Sequence, residues 1–209
     1  MRIAREGYRF VGAAAVSAVL AGLLGWQGLM VAAVGLTAFL TAFFRDPERQ
    51  VPGSAGLVVA PADGRVIHVE GGVRVSELPG PASRLSIFMS PFNVHVNRAP
   101  VTGTVRSVHY QRGRFHAAFS PKASPDNERN TILLVDERNE QFLIVQIAGA
   151  MARRIVCYVA PDERVERGAR CGMIMFGSRV ELYVPESVSV RVRPGDRLRA
   201  GESVVGVYR

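Results

Sequence analysis

Met173-Ile174-Met175-Phe176-Gly177-Ser178-Arg179-Val180 is the stretch on which the reading of this chain turns. An apolar run leads into a Gly-Ser pair, and a second β-type run, Val180, Leu182 and Val184, follows at once. A glycine inside a strand marks a bulge or a close approach of backbone. Two readings are open at this point. Ser178 is a solvent-facing residue on a β-bulge, or it is a serine whose own backbone amide is the reacting group. In the second reading Gly177 leaves the preceding carbonyl unhindered, and the hydroxyl attacks it through a five-membered ring.

Upstream and downstream of this stretch the chain consists of short β-runs separated by Gly and Pro turns. Residues 57–60, 64–69, 84–89, 102–110, 131–136, 141–148, 153–158, 180–184, 188–192 and 203–207 are expected as strands. No segment beyond residue 46 keeps a helical period. The class is all-β: a compact barrel-sandwich-like domain over 47–209. A weak internal echo supports it, since Glu163-Arg164-Val165-Glu166-Arg167-Gly168 resembles Asp196-Arg197-Leu198-Arg199-Ala200-Gly201. Such turns are typical of biotinyl and lipoyl carrier domains. A membrane-tethered carrier or adaptor is therefore the alternative function. It is disfavoured because the hairpin candidate at 183–188 has no lysine, and Lys122, the only one, lies in a distant loop.

The N-terminus is built differently. Phe10 to Phe44 is a run of 35 residues without a charge. One straight helix of that length would measure about 52 Å, against the ~30 Å of a bilayer's hydrocarbon core. Gly25-Trp26-Gln27-Gly28 breaks the run in its middle. Two helices of about 15 to 17 residues fit better, forming a short or re-entrant hairpin over 1–46. Arg2, Arg5 and Arg9 precede the hairpin and Arg45 and Arg49 follow it, which places both ends on the cytoplasmic face of the cell membrane. Apolar sequence continues well past any Ala-x-Ala site, against a cleaved signal peptide.

The formal net charge of +8 calls for a polyanionic partner. No nucleic-acid-binding motif accompanies it, so the anionic membrane surface is the expected partner and nucleic acid is not. Cys157 and Cys171 show neither a disulfide framework nor metal spacing, and are expected as buried, reduced thiols with no metal.

Three further stretches carry chemistry-bearing residues. Pro61-Ala62-Asp63-Gly64 sets an acid in a tight turn, where a surface Asx-turn would also stand. Ser90 to Pro100 holds polar residues between two prolines, among them His95, the side chain suited to proton transfer near neutral pH. Asn127-Glu128-Arg129-Asn130 precedes a strand, where a charged run is ordinarily a solvated edge. Taken in order with Phe176-Gly177-Ser178-Arg179, over roughly residues 43–209, they resemble the short bacterial and archaeal type of phosphatidylserine decarboxylase.

That resemblance implies a chain that cuts itself between Gly177 and Ser178. The serine hydroxyl attacks the preceding carbonyl, elimination releases residues 1–177, and residue 178 becomes a pyruvoyl group capping 178–209. The two chains would stay associated. The covalent pyruvate would condense with the amine of phosphatidylserine and accept electron density as CO2 leaves, a role no ordinary side chain fills. The resemblance makes His95 the general acid, and Asp63-His95-Ser178 the processing set with Asp63 orienting the histidine. Longer members of the family carry a second histidine three residues on, where this chain has Arg98. Either His95 serves both steps, or His109 or His116 steps in, or Arg98 stabilises an oxyanion. His68, on a strand without such context, is read as structural.

Overall fold

A computed structural model describes residues 2–114, 126–149, 154–175 and 178–209. The chain divides into two units, Met1–Glu48 and Arg49–Arg209. The first opens on β1 (Arg2–Ile3), which pairs antiparallel with β2 (Arg45–Asp46). Between them lie α1 (Tyr8–Leu23) and α2 (Gln27–Phe43), joined where Gly25 takes a left-handed turn, φ 71°. Ala14, Ala18 and Ala21 of α1 and Ala33, Leu40 and Phe43 of α2 are buried. The alanines let the two backbones approach closely. The helices have 16 and 17 residues. Among the described residues no helix is long and apolar enough to cross a membrane.

The named elements of the second unit are strands: β3 (Leu57–Val59), β4 (Gly64–Val73), β5 (Ala82–Met89), β6 (Val96–Arg98), β7 (Gly103–Gln111), β8 (Arg129–Asp136) and β9 (Gln141–Ala148) come first. β10 (Arg154–Cys157), β11 (Arg164–Val165), β12 (Arg170–Met175), β13 (Ser178–Pro185), β14 (Val188–Val190), β15 (Arg197–Leu198) and β16 (Val204–Tyr208) complete it. An eight-stranded sheet runs β11-β7-β8-β9-β13-β5-β4-β15, and two three-stranded sheets run β10-β12-β6 and β14-β16-β3. The main core includes Leu85, Ile87, Leu134, Ile144, Val180 and Leu182 of the large sheet, packed with Val58, Ile174 and Val205 of the smaller ones.

The strand order is that of a twofold internal repeat about the β9–β13 pair. Each half contributes one short edge strand, β11 or β15, three long strands and one small sheet. Ala60-Pro61-Ala62-Asp63-Gly64-Arg65-Val66 matches Ala99-Pro100-Val101-Thr102-Gly103-Thr104-Val105. Hydrogen bonds repeat with the residues. Val66 N donates to Asp196 O and Val105 N to Glu163 O, each at 2.9 Å, while Gly201 N donates to Ala60 O at 2.9 Å and Gly168 N to Ala99 O at 2.8 Å. The glycines are required where the turns enter the sheet. A Cβ on Gly64 would lie 2.2 Å from the Phe88 carbonyl oxygen, and one on Gly103 would lie 2.3 Å from that of Val135.

The runs either side of Gly177 are not one bulged strand. β12 lies in a three-stranded sheet and β13 in the large one, so the chain changes sheets between Met175 and Ser178. β13 sits in the middle of the large sheet and buries both faces, so Arg179 and Glu181 on one face are covered as fully as Val180 and Leu182 on the other.

Candidate active site

Ser178 opens β13, facing Met89 of β5 on one side and Ala148 of β9 on the other. It is fully buried, which sets aside the solvent-facing reading. Its Oγ donates to the Met89 Sδ at 3.3 Å. A thioether is a weak acceptor, so the hydroxyl gives it up at little cost.

β5 ends beside this contact, and the chain turns. Asn93 N donates to Ser90 O at 3.0 Å, while Ser90 N and Oγ each donate to Asn93 Oδ1 at 2.8 Å. This turn carries the chain to His95, which is fully buried. His95 Nδ1 lies 2.9 Å from the Asn93 carbonyl oxygen. A carbonyl can only accept, so Nδ1 carries the proton and Nε2 is the basic nitrogen of the neutral ring. Ile174 N donates to His95 O at 3.3 Å, and Val96 pairs with Met173. These bonds fix the histidine against β12, beside the point where the chain leaves for Ser178.

Asp63 is placed otherwise than expected. Arg49 Nη2 donates to both its carboxylate oxygens at 2.9 Å, and the Ala200 amide donates to Oδ1 at 2.7 Å. Among the described residues its carboxylate is held by an arginine and a backbone amide, not by a histidine. Its counterpart in the repeat, Thr102, accepts the Arg167 amide on Oγ1 at 3.0 Å. Closing this turn is thus a task of the fold, and the charge with its Arg49 partner is what Asp63 adds.

Arg98, buried, donates from Nη1 to the Gly168 carbonyl at 2.7 Å. His109 is exposed on β7, paired with Thr131. Its cross-strand row continues through Val145 to Glu181, so it belongs to the face of the sheet opposite Ser178. His68 is exposed on β4, opposite Ser86. His116, Lys122, Phe176 and Gly177 lie outside the described residues. Cys171 is buried as expected, but Cys157 is only partly so; both are free thiols.

The structure also joins Asn97 and Asn130, from the stretches at 90–100 and 127–130, through Gln146, which the sequence did not single out. Asn130 Nδ2 donates to Gln146 Oε1 at 2.9 Å, and Gln146 Nε2 donates to Asn97 Oδ1 at 2.8 Å. Asn97 Nδ2 then reaches the Met89 Sδ at 3.7 Å, the sulfur on which Ser178 rests. All three amides are essentially inaccessible to solvent. Gly172 makes room for them, since a Cβ there would lie 2.6 Å from Gln146 Nε2. The available signal was Gln146, a lone polar residue inside Phe142-Leu143-Ile144-Val145-Gln146-Ile147. The run at 127–130 is no solvated edge. Asn127 is buried and its Nδ2 donates to Ala148 O at 2.7 Å, on the residue that pairs with Ser178.

On the reverse face of β13, Arg179 Nε lies 3.4 Å from Glu181 Oε1, both side chains buried. Tyr183 donates to Glu181 Oε2 at 3.1 Å. Burial lowers the Arg179 guanidinium from its ordinary value, opposed by Glu181, and pushes the Tyr183 phenol up to about 12. Beside the end of β5 a cleft of about 620 Å³ is lined by Asp63, Arg65, Ser90, Asn93, Arg197 and Arg199, among others. Among the described residues no group of His, Cys, Asp and Glu is arranged to hold a metal ion.

A buried serine at a strand start and a buried histidine with its basic nitrogen defined suit acyl chemistry. Comparison with known proteins shows the family. The family model for phosphatidylserine decarboxylase matches residues 36–206. A phosphatidylserine decarboxylase proenzyme of Symbiobacterium thermophilum is 46% identical over 204 residues, covering 98% of this chain and 94% of its own. Those of Syntrophus aciditrophicus and Geotalea uraniireducens are 44% and 43% identical, covering 99% and 98% of this chain and 97% and 96% of theirs. Matched by the family model over most of its length and by these proteins over nearly all of it, the chain belongs to the phosphatidylserine decarboxylase family.

Proposed function

We propose that the chain decarboxylates phosphatidylserine to phosphatidylethanolamine, using a pyruvoyl group that it makes from its own Ser178. The observation that carries this reading is the position of Ser178 at the point where the chain passes from one sheet to another. A cut before Ser178 severs no strand, and β13 stays held along its length by β5 and β9. The two products would therefore remain one folded body.

In processing, the Ser178 hydroxyl leaves the Met89 sulfur and adds to the Gly177 carbonyl carbon, as the Gly177–Ser178 C–N bond breaks and an ester forms. His95 Nε2 is the base that takes the hydroxyl proton, with its ring held by the Asn93 carbonyl. Loss of the residue 178 α-proton then expels the Gly177 carboxylate, and water replaces the nitrogen, released as ammonia. The fully buried setting suits this chemistry, because a weakly solvated hydroxyl and a fixed base need little reorganisation. The pyruvoyl group supplies a carbonyl that binds the substrate amine and draws off the electron pair freed as CO2 departs. His95, protonated, returns a proton to the substrate carbon.

The hairpin supports work at the cytoplasmic face of the cell membrane. Among the described residues it carries twelve of the fifteen exposed large apolar side chains, from Tyr8 to Phe39. An apolar patch of that extent marks a membrane or protein contact. Helices of 16 and 17 residues measure about 24 to 26 Å, short of the ~30 Å core, so the hairpin is set to enter the bilayer without crossing it.

The test is a denaturing gel and intact mass beside CO2 release from phosphatidylserine. Wild type should give two chains, the smaller starting at a pyruvoyl residue 178. Ser178→Ala should remain a single inactive chain of 22.7 kDa. A Ser178→Ala protein that still separates into two chains refutes the assignment.

A further inference from the structure

The internal repeat allows one half of the fold to be compared with the other. At the cleft, Arg197 stands directly opposite Arg65 across the β15–β4 pair. In the other half Arg164 stands opposite Thr104 and is bridged to Glu137. Like charges directly opposite destabilise a sheet, so the fold itself does not ask for the second arginine. Arg199 adds a third guanidinium to the cleft lining, where the matching residue of the other half is Glu166. Asp63, the acid in this lining, is neutralised by Arg49. Glu202 lies 3.7 Å from Arg199, but that side chain is 75% exposed and the pair is screened by solvent. The lining therefore carries excess positive charge that the symmetric half does without.

The cleft's other wall supplies a second feature. Ser90 and Asn93 line it, and Phe92 on the turn between them is 78% exposed. An exposed phenyl on a basic rim is the composition of a membrane-interface contact. Ser90 directly follows Met89, which holds the Ser178 hydroxyl, so this wall of the cleft reaches the end of β5 beside Ser178, while Arg65 and Arg197 stand in the Phe88–Arg179 row on the other face of the sheet. Its volume of about 620 Å³ falls within the ~300–1,000 Å³ of small-molecule sites.

We propose that this cleft seats the headgroup of the substrate lipid: Arg65, Arg197 and Arg199 hold the phosphodiester of phosphatidylserine, and Phe92 enters the membrane interface at the rim. The inference rests on the decarboxylase reading. Guanidinium forks match phosphate oxygens in pairs. The serine amine lies two carbons from the phosphate ester oxygen, so a phosphate held here keeps the amine near residue 178.

The test uses the full, processed chain and phosphatidylserine at varied mole fraction in phosphatidylcholine vesicles. Arg65→Gln/Arg197→Gln should cut normally and keep kcat within about threefold, while KM rises about tenfold or more, the loss expected for charge-assisted bonds. Arg106→Gln/Arg164→Gln removes the same charge from exposed positions of the other half and should leave KM within about twofold. Phe92→Ser should raise KM on vesicles but not on a soluble short-chain phosphatidylserine. A wild-type KM in the cleft double variant, or an equal rise in the control, overturns the proposal while the decarboxylase reading stands. Wild-type protein that releases no CO2 from phosphatidylserine overturns that reading and this proposal with it.

Discussion

Replacing Gln146 by leucine tests whether the buried amide chain behind Ser178 stabilises the fold as its geometry implies. The substitution nearly conserves volume, so it empties no cavity, but it strands two groups. Asn130 Nδ2 loses its 2.9 Å acceptor and Asn97 Oδ1 its 2.8 Å donor, both in residues with no more than 1% exposure. Each stranded polar group costs about 1–3 kcal/mol, and the leucine side chain recovers some of that through its own burial. The net loss is about 2–4 kcal/mol. At about 2–4 °C per kcal/mol for a domain of this size, Tm should fall by roughly 5–15 °C.

The assay is thermal unfolding followed by circular dichroism at one scan rate, with Asn97→Leu and the double variant alongside. Once Gln146 is gone, Asn97 has already lost its partner. The double variant should therefore lose clearly less than the two singles added, by about 0.5–3 kcal/mol. A Gln146→Leu protein melting within about 2 °C of wild type, or strict additivity in the double, refutes the reasoning.

Other outcomes follow from the same geometry. His95→Ala should stay mostly uncut by intact mass, since the ring supplies the base for Ser178; normal cutting with normal CO2 release would remove His95 from both steps. Arg49→Leu leaves the Asp63 carboxylate, 11% exposed, with only the Ala200 amide among the described residues. Breaking a buried pair from one side costs about 3–5 kcal/mol, so Tm should drop by about 6–20 °C, and a drop under 2 °C would show the pair to be idle. Burial, with the Cys157 thiol beside it, pushes the Cys171 thiol up to about 12, so its reactive thiolate is scarce at pH 8. Iodoacetamide at that pH should label Cys157 alone in the folded protein, as read by peptide mass, and equal labelling of Cys171 would contradict its burial.

Much of the fold was legible because its signals are local. The charge-free run with a break at Gly25–Gly28 yields α1 and α2, and alternation with Gly/Pro punctuation yields most of the strands. Strand partnership is not local. Nothing in Met173–Val180 says that its two halves join different sheets, because period-2 alternation is blind to which neighbour a strand finds. The turn at Asp63 illustrates the same limit. Its residues announce a tight turn, while its partners Arg49 and Ala200 stand 14 and 137 positions away. The repeat was only half visible, through its edge strands at 163–168 and 196–201. The closer match, Ala60–Val66 with Ala99–Val105, spans a turn rather than a periodic run and shares only Ala, Pro, Gly and Val.

Once seen, the repeat separates what the fold needs from what the chemistry needs. Val58 and Val59 precede Ala60 in one half and are fully buried, as apolar residues at such positions should be. In the other half the same two positions, before Ala99, hold Asn97 and Arg98, equally deep but polar. The scaffold therefore tolerates valines there, and burying an amide and a guanidinium instead carries a desolvation penalty that packing alone would not retain. Their bonds show the return: Asn97 ends the amide chain at the sulfur under Ser178, and Arg98 ties down Gly168. Thr102, Thr104 and Glu166 close and edge one half of the sheet, whereas Asp63, Arg65 and Arg199 stand in those places on the cleft side. The two halves fold alike, and among the positions at which they differ in charge Asp63, Arg65 and Arg199 line the cleft beside the end of β5. Each half thus departs from the other at its own positions, Asn97 and Arg98 on one side and Asp63, Arg65 and Arg199 on the other, where packing alone gives no reason for the change.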